Sequence, residues 1–293
     1  MEAVGDLDAD IAAPGDVVAA AQGEVAAVGA FGERCFLSQQ RWKPFADFEL
    51  NFTAFAHEAN AVFDNQLVSG SQNLEVFKTF HQSLDAKVVI PSVFKAYSTR
   101  RVLTLSLEHG ESLETASTWP LEVRNTLARR LIRTLGQEMF YLKRFHCDSH
   151  PGNFAFRPDG TVVIYDFGGV KTLSVEIVEH FKQLIYAARK HNIPAIEDHL
   201  EALQALAIKS SFPEELYIQW IDVLLRPLTQ PYNFAENSAY HDSVTLVKKS
   251  LKYWDVFRPS PDTLMVNRTI SGHYWNLIHL KVEDNLNDLF EEL

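Results

Sequence analysis

Cysteine is scarce in this chain, and that scarcity excludes a class of fold at the outset. Two cysteines, Cys35 and Cys147, cannot make a disulfide framework, so a reducing compartment is the default. No apolar run reaches the ~18 residues that a membrane-spanning helix needs, and no charged-then-apolar signal segment opens the sequence. Peripheral association with a membrane stays open. There is no basic run either. Lys and Arg total 27 against 38 Asp and Glu, a formal net charge of −11, which leaves no electrostatic footprint for nucleic acid. Lysine is missing altogether ahead of Lys43. Gly29-Ala30-Phe31-Gly32 has glycines but neither the spacing nor the lysine of a phosphate-binding loop. Internal repeats and low-complexity linkers are also absent. What remains is a globular composition, 46% apolar, over 293 residues. That is length enough for one large domain or two lobes with a real core.

The most informative stretch is residues 145–168, FHCDSHPGNFAFRPDGTVVIYDFG. It holds His146, Asp148 and Asn153 in the spacing H-x-D-x-x-x-x-N, followed by a short strand, a Pro158-Asp159-Gly160 turn, and a second strand, Thr161 to Tyr165. Asp166-Phe167-Gly168 closes it. Proline presets one turn dihedral and glycine supplies a positive φ, so PDG between apolar runs reads as a hairpin. A hairpin brings its ends together, so Asp148, Asn153 and Asp166 are expected to face one volume. Two carboxylates and an amide oxygen suit a hard Mg²⁺ ion whose remaining ligands are phosphate oxygens. In protein kinases the loop Asp accepts the substrate hydroxyl proton, while the Asn and the DFG Asp hold the metals. The neighbouring His146, Cys147, Asp148 and His150 do not read as a zinc site. Adjacent residues of a tight loop point apart, and no second C-x-x-C-type ligand pair exists.

Around this stretch the chain reads as α+β. Good helix propensity from Val17 through Val28 predicts a helix and no glycine-loop hairpin in the first forty residues. Phe45, Phe48, Phe52, Phe55, Ala59 and Val62 recur at helical spacing, with Glu58 on the flank of the stripe. Ser69 to Asn73 reads as a polar loop. Two strands follow, Val88 to Tyr97, broken by Pro91, and Arg101 to Leu107, leading into a Glu108-His109-Gly110 turn. A helix from Pro120 to about Arg144, carried by Leu121, Leu127, Leu131, Leu135 and Leu142, runs into the catalytic loop. Beyond Gly168 helices are expected over 174–191, 194–208, 212–227, 242–256 and 261–290, with Ser211 to Glu214 as a capping box. Trp220, Tyr253, Trp254, Tyr274 and Trp275 read as core.

With these residues assembled, the chain resembles the UbiB/ADCK (AarF-like) atypical kinases, a family linked to coenzyme Q biosynthesis. The resemblance runs from about Glu58 to Asn285. It rests on His57-Glu58-Ala59-Asn60, IPSVFKAYSTRRVLTL, FHCDSHPGN, IYDFG, and the late PDTLMVNRTISG with Arg268. HPGN after the aspartate, in place of an ordinary kinase's L-x-x-x-N, is its distinguishing part. It implies a protein-kinase-like fold. Residues 1–108 would form a reduced N-lobe with a helical start, the Glu58 helix and two strands. Residues 109–293 would form a mostly helical C-lobe carrying the catalytic loop and DFG. It also implies Mg²⁺ and ATP as cofactors, with Asp148 catalytic and Asn153 and Asp166 as metal ligands. Glu58, Leu105 and Leu107 would lie on the nucleotide side, supported by His146, His150 and Gly168. An isoprenoid lipid or lipid-biosynthesis proteins are the implied partners.

The departures are as specific as the matches. Family members pair the helix glutamate with a strand lysine about fifty residues earlier; Ala12-Ala13-Pro14-Gly15 resembles the segment after it, so Asp10 stands where the lysine belongs. The alanine-rich nucleotide loop and the lysine-glycine-glutamine extension have no counterpart. Phe52 and Ala54 replace the acidic pair that meets the extension. Without the lysine, positioning of the α/β-phosphates is expected to weaken by several kcal/mol in the transition state. Three readings follow: a phosphotransferase or ATPase of this family, a pseudokinase scaffold, and a small-molecule kinase of the aminoglycoside/choline type.

Overall fold

In the computed structural model the described residues are 66–98, 102–209, 211–258 and 260–291, together with the backbone of two strands at 18–20 and 23–28. Glu58 and its helix lie outside them. The chain divides into two compact units, one comprising Met1–Lys78 with Pro91–Glu108, the other Thr79–Ile90 with His109–Leu293.

In the first unit, β1 (Val18–Ala20) and β2 (Gly23–Val28) form an antiparallel hairpin. β4 (Leu103–Ser106) pairs antiparallel with β2, Val25 opposite Ser106, giving the order β1-β2-β4. The helix expected over 17–28 is therefore a pair of strands. Val17, Val18, Val25 and Val28 are β-branched and favour extended backbone, and pairing with β4 outweighs the helix propensity of the intervening alanines. Two paired strands thus stand where a helical start was expected, and they lack the glycine-rich sequence of a phosphate loop. Leu105 is bridged to Val93. Lys95 pairs with Glu75 at 2.8 Å on an exposed surface.

α1 (Gln66–Leu84) runs straight through the stretch expected as a polar loop. Its buried positions are Gly70, Asn73, Leu74, Phe77 and His81, at helical spacing. Two of the five are polar and one is glycine, so the stripe is invisible to a hydrophobic count although burial drives the helix. The strand expected from Val88 to Tyr97 is reduced to β3 (Val88–Val89), followed by a lone bridge at Val93 and a 3₁₀ turn at Lys95–Tyr97. Pro91 has no N–H to continue the ladder.

The second unit is mostly helical. Its small sheet has the order β3-β7-β6, with β6 (Phe154–Phe156) antiparallel to β7 (Val162–Ile164) and β3 parallel to β7. α2 (Leu113–Ala116) and α3 (Leu121–Gln137) precede it. After it come β8 (Val170–Thr172), α4 (Val175–Arg189), α5 (Ile193–Ala202) and α6 (Glu214–Thr229). α6 starts on Pro213 with no side-chain cap, so Ser211 to Glu214 is no capping box. β9 (Tyr232–Asn233), α7 (Ser238–Ser250) and α8 (Pro261–His279) follow. The helix expected over 261–290 stops at His279, where Lys281 turns to φ 52° and β10 (Glu283–Asp284) pairs with β9, before α9 (Asn287–Glu291). One apolar core gathers Leu135, Phe140, Phe145, Cys147, Phe181 and Val266. A second sits around Phe212, Tyr217 and Ile221. Trp254, read as core, is 78% exposed. No helix among the described residues is long and apolar enough to cross a membrane.

The PDG turn forms as its residues dictate. Gly160 N–H donates to the Arg157 carbonyl at 3.0 Å, and Thr161 N–H to Asp159 Oδ1 at 3.1 Å. Gly160 has φ +82°, and a Cβ there would meet Thr126 Cγ2 at 2.9 Å. Gly160→Ala should therefore lower unfolding free energy by about 1–2 kcal/mol from the left-handed backbone. A urea midpoint unchanged from the parent chain would contradict this geometry.

Candidate functional site

α3 buries Leu127, Leu131 and Leu135 and then widens into a π-helical turn, Glu138–Leu142, ended by Lys143 at φ 58°. The sequence had carried the α-helix to about Arg144. The π turn has a consequence for the site. It places Glu138, 2% exposed, where Oε2 accepts the His146 N–H at 2.9 Å and Oε1 meets His81 Nε2 at 2.9 Å. A buried carboxylate is tolerable only when bonded on both oxygens. Here those bonds tie α1 to the strand that enters the loop. The signal was in the sequence: Glu138 interrupts the stripe Leu131, Leu135, Leu142 at the position where another apolar residue belongs.

That strand, β5 (Arg144–His146), pairs antiparallel with β8, His146 opposite Val170. Cys147 N–H extends the ladder to the Gly169 carbonyl at 2.8 Å. Asp148 consequently lies against the glycines that follow Phe167, and a Cβ on Gly169 would sit 3.7 Å from the Asp148 Cβ. The chain then turns through Pro151–Asn153, with Gly152 N–H donating to His150 Nδ1 at 3.0 Å and Asn153 N–H to the His150 carbonyl at 2.9 Å. The Asn153 amide donates from Nδ2 to the Asp148 carbonyl at 3.1 Å. Phe154 opens β6 opposite Ile164 of β7, and one residue on, Tyr165 N–H returns to the Asn153 carbonyl at 3.0 Å. Asp166 is next in the chain, with Oδ1 accepting the Gly168 N–H at 2.7 Å.

Asp148, Asn153 and Asp166 are thus brought together by backbone bonds on both limbs of one hairpin. Each of their side chains keeps an oxygen that those bonds do not use: Asn153 Oδ1 and the second carboxylate oxygens of Asp148 and Asp166. Such a set of hard oxygen donors fits Mg²⁺, which binds through one or two protein groups plus phosphate and water. Among the described residues no three His, Cys, Asp or Glu side chains are grouped so as to hold a metal by themselves. The Cys147 thiol, buried beneath the loop, is pushed up to about 12 by desolvation and is no nucleophile.

The remaining expected site residues are less close to this chemistry. His146 is 3% exposed, with no hydrogen-bond partner for either ring nitrogen among the described residues, and it packs on Phe167 at 5.1 Å and Phe154 at 5.9 Å. It supports the loop as a packed ring. His150 is exposed and orders its own turn. A Cβ on Gly168 would crowd Asp166 Oδ1 at 3.1 Å. Leu105 is buried and Leu107 half-buried, both in the first unit. Arg268 is exposed on α8. Helix α8 also brings residues that the sequence did not single out: Asn276 Nδ2 donates to the Ser149 carbonyl at 3.0 Å, and His273 meets Phe154 edge-to-face, ring centroids 5.7 Å apart.

His273 gives a pH prediction. Burial, and then the neighbouring His146, push it down to about 3 from its ordinary value of 6.5. Above pH 6.5 the ring is neutral folded or unfolded, so pH has no effect through it. As pH falls from 6.5 towards 3 only the unfolded chain takes up the proton, and stability drops by up to about 1.4 kcal/mol per pH unit. Urea midpoints should fall between pH 6.5 and 4.5, and less steeply in His273→Gln. Parallel curves for the two proteins would contradict the assignment.

Comparison with known proteins gives this geometry its context. The family model described as the ABC1 atypical kinase-like domain matches residues 44–200. The chain is 23% identical over 214 residues, 70% of its length, to the atypical kinase coq-8, mitochondrial, of Caenorhabditis elegans, covering 28% of that protein. It is 21% identical over 69% of its length to the atypical kinase COQ8B, mitochondrial, of Rattus norvegicus, covering 39% of it. With Protein ACTIVITY OF BC1 COMPLEX KINASE 3, chloroplastic, of Arabidopsis thaliana it shares 34% identity over 34% of this chain and 14% of that one. The chain therefore spans less than two fifths of the length of each of these relatives. A solved structure of Rv3197 with erythromycin from Mycobacterium tuberculosis superposes with a TM-score of 0.66 at 18% identity, over 92% of this chain and 71% of that one. The fold is kinase-like α+β, and the chain belongs to the ABC1 (UbiB/ADCK) family of atypical kinase-like proteins.

Proposed function

We propose that the chain binds a magnesium nucleotide, ATP first among candidates, through Asn153 and Asp166, with Asp148 in the position of the group that accepts the acceptor's proton. The observation carrying this reading is the convergence of these three residues across one hairpin, fixed by the bonds from Tyr165 N–H to the Asn153 carbonyl and from Asn153 Nδ2 to the Asp148 carbonyl. The metal, when bound, neutralises phosphate charge. The protein's part is to hold those oxygens in place and to keep Asp148 beside them.

The second half of the reading concerns turnover. No lysine precedes Lys43, and by resemblance Asp10 occupies the place of the phosphate-clamping lysine. Metal and base positions contribute separately from that clamp. Nucleotide binding should survive in weakened form while phosphoryl transfer is slow or absent. A role beside coenzyme Q or related isoprenoid-lipid metabolism is proposed from the family alone, with an isoprenoid lipid or lipid-biosynthesis proteins as partners, and a reducing compartment from the scarcity of cysteine.

The experiment is a titration of the full chain with fluorescent ATP, with and without Mg²⁺, alongside an ATPase assay. Binding should strengthen at least tenfold with Mg²⁺, and Asp166→Asn should remove most of that gain, about 1.4 kcal/mol per factor of ten. Binding indifferent to both Mg²⁺ and Asp166→Asn would overturn the site. Robust turnover abolished by Asp148→Asn would overturn the expectation of weak activity and show that another cation replaces the lysine.

A further inference from the structure

The loop that carries Asp148 has little regular secondary structure between His146 and Phe154 beyond the short 3₁₀ turn at Pro151–Asn153, so its carbonyls need partners from outside the local backbone. Three consecutive carbonyls find side-chain donors. The Asp148 carbonyl is taken by Asn153 Nδ2 at 3.1 Å, within the loop. The carbonyls on either side are met by one helix, α8. Asn276 Nδ2 reaches the Ser149 carbonyl at 3.0 Å, and Thr269 Oγ1 lies 3.4 Å from the Cys147 carbonyl. The hydroxyl has a single proton and lies closer to the Met265 carbonyl, 2.9 Å away, so Asn276 supplies the stronger hold. Asn276 is 1% exposed and Thr269 fully buried. The buried face of α8 carries Thr263, Thr269, His273 and Asn276 beside Val266 and Leu277, and the Asn276 amide finds its partner in a loop backbone more than a hundred residues earlier.

The approach depends on one glycine. Gly272 lies between Thr269 and Asn276 on the same face of α8. A Cβ built there would fall 1.7 Å from Ser149 Oγ and 2.8 Å from Ser149 Cβ, with the next atom, Ser149 Cα, at 3.9 Å. Glycine inside a helix costs about 1 kcal/mol against alanine, and here the missing Cβ leaves the space that Ser149 occupies. Donors and contact meet the loop at residues 147 and 149, bracketing Asp148.

We infer that α8 clamps this loop, with Asn276 and Thr269 as positioning residues for Asp148 and Asn153 and with Gly272 paired to Ser149 as the contact that lets the helix close on it. The inference rests on the proposed nucleotide site only for its purpose; the clamp itself is a property of the unliganded chain. Loss of the Asn276 donor leaves the Ser149 carbonyl without its partner and frees the turn that holds Asn153. A bulkier residue at 272 displaces Ser149 and the loop with it.

The test is hydrogen exchange of the full chain without nucleotide, read on peptides covering 147–153 and, as control, on the α4 peptide 176–188. Gly272→Ala should speed exchange in 147–153 at least tenfold and leave the control within threefold. Gly272→Ala combined with Ser149→Gly, which removes both atoms under 3 Å, should bring the loop back to within threefold of the parent. Asn276→Ser serves where Gly272→Ala does not fold, and should speed the same peptides at least fivefold. Exchange in 147–153 unchanged by Asn276→Ser, or a double variant no slower than Gly272→Ala alone, would overturn the clamp. Where nucleotide binds, Asn276→Ser should shrink the Mg²⁺-dependent gain in affinity at least fivefold while affinity without Mg²⁺ stays within twofold; a uniform loss in both would reduce Asn276 to a merely structural residue. A parent chain that binds no nucleotide yet shows the exchange pattern defeats the proposed function and leaves the clamp standing.

Discussion

The hydrogen bond from Tyr165 N–H to the Asn153 carbonyl is the point on which the site turns. It is the last rung of the β6–β7 ladder, whose register sets Phe154 against Ile164 and Phe156 against Val162. Strand side chains alternate with a period of two, so a slip of one residue would carry Asn153 and Asp166 to opposite faces. The register is held at one end by the Gly160 turn and through its length by burial of all six strand residues. Parallel pairing with β3 adds a third strand from a distant part of the sequence.

Polar groups buried around this hairpin hold it on the sides that apolar packing leaves loose. Glu138 fixes the amide of His146 while bonded to His81, and Asn276 fixes the carbonyl of Ser149. At the turn, Asp159 is kept well below the usual carboxylate range chiefly by its bond to Lys87, although both are exposed enough for solvent to screen the pair. The exposed turn contact adds little stability, whereas the buried bonds decide where the loop stands, because breaking one strands a desolvated partner.

The hairpin was legible in the sequence because its signals are local. Pro158 and Gly160 dictate a turn, the flanking residues are short apolar runs of strand length, and the spacing from Asp148 to Asn153 fixes a loop of known reach. The helices after Gly168 were legible for the same reason. What escaped was whatever depends on distant partners. α1 hides behind Asn73, His81 and Gly70, whose burial is decided by neighbours far along the chain. β1 and β2 look helical in isolation and become strands once β4 pairs with them. The end of α8 is set by the pairing of β10 with β9. Asn276 and Gly272 carry no motif of their own, because a loop carbonyl as partner leaves no trace in sequence spacing. Glu138 escaped too, although a carboxylate on the leucine stripe is a local signal of a buried partner.

These parts combine into the proposed metal-nucleotide site, assembled from two limbs of one hairpin and steadied by a buried carboxylate and a late helix. The most direct measurement replaces Mg²⁺ with paramagnetic Mn²⁺, in the presence of ATP, and follows line broadening of backbone amides in the full chain. Amides of 148–153 and of 165–168 should broaden first and together, at sub-stoichiometric Mn²⁺ and only with nucleotide present. Broadening confined to one limb, or centred elsewhere in the chain, would contradict a shared site at Asp148, Asn153 and Asp166.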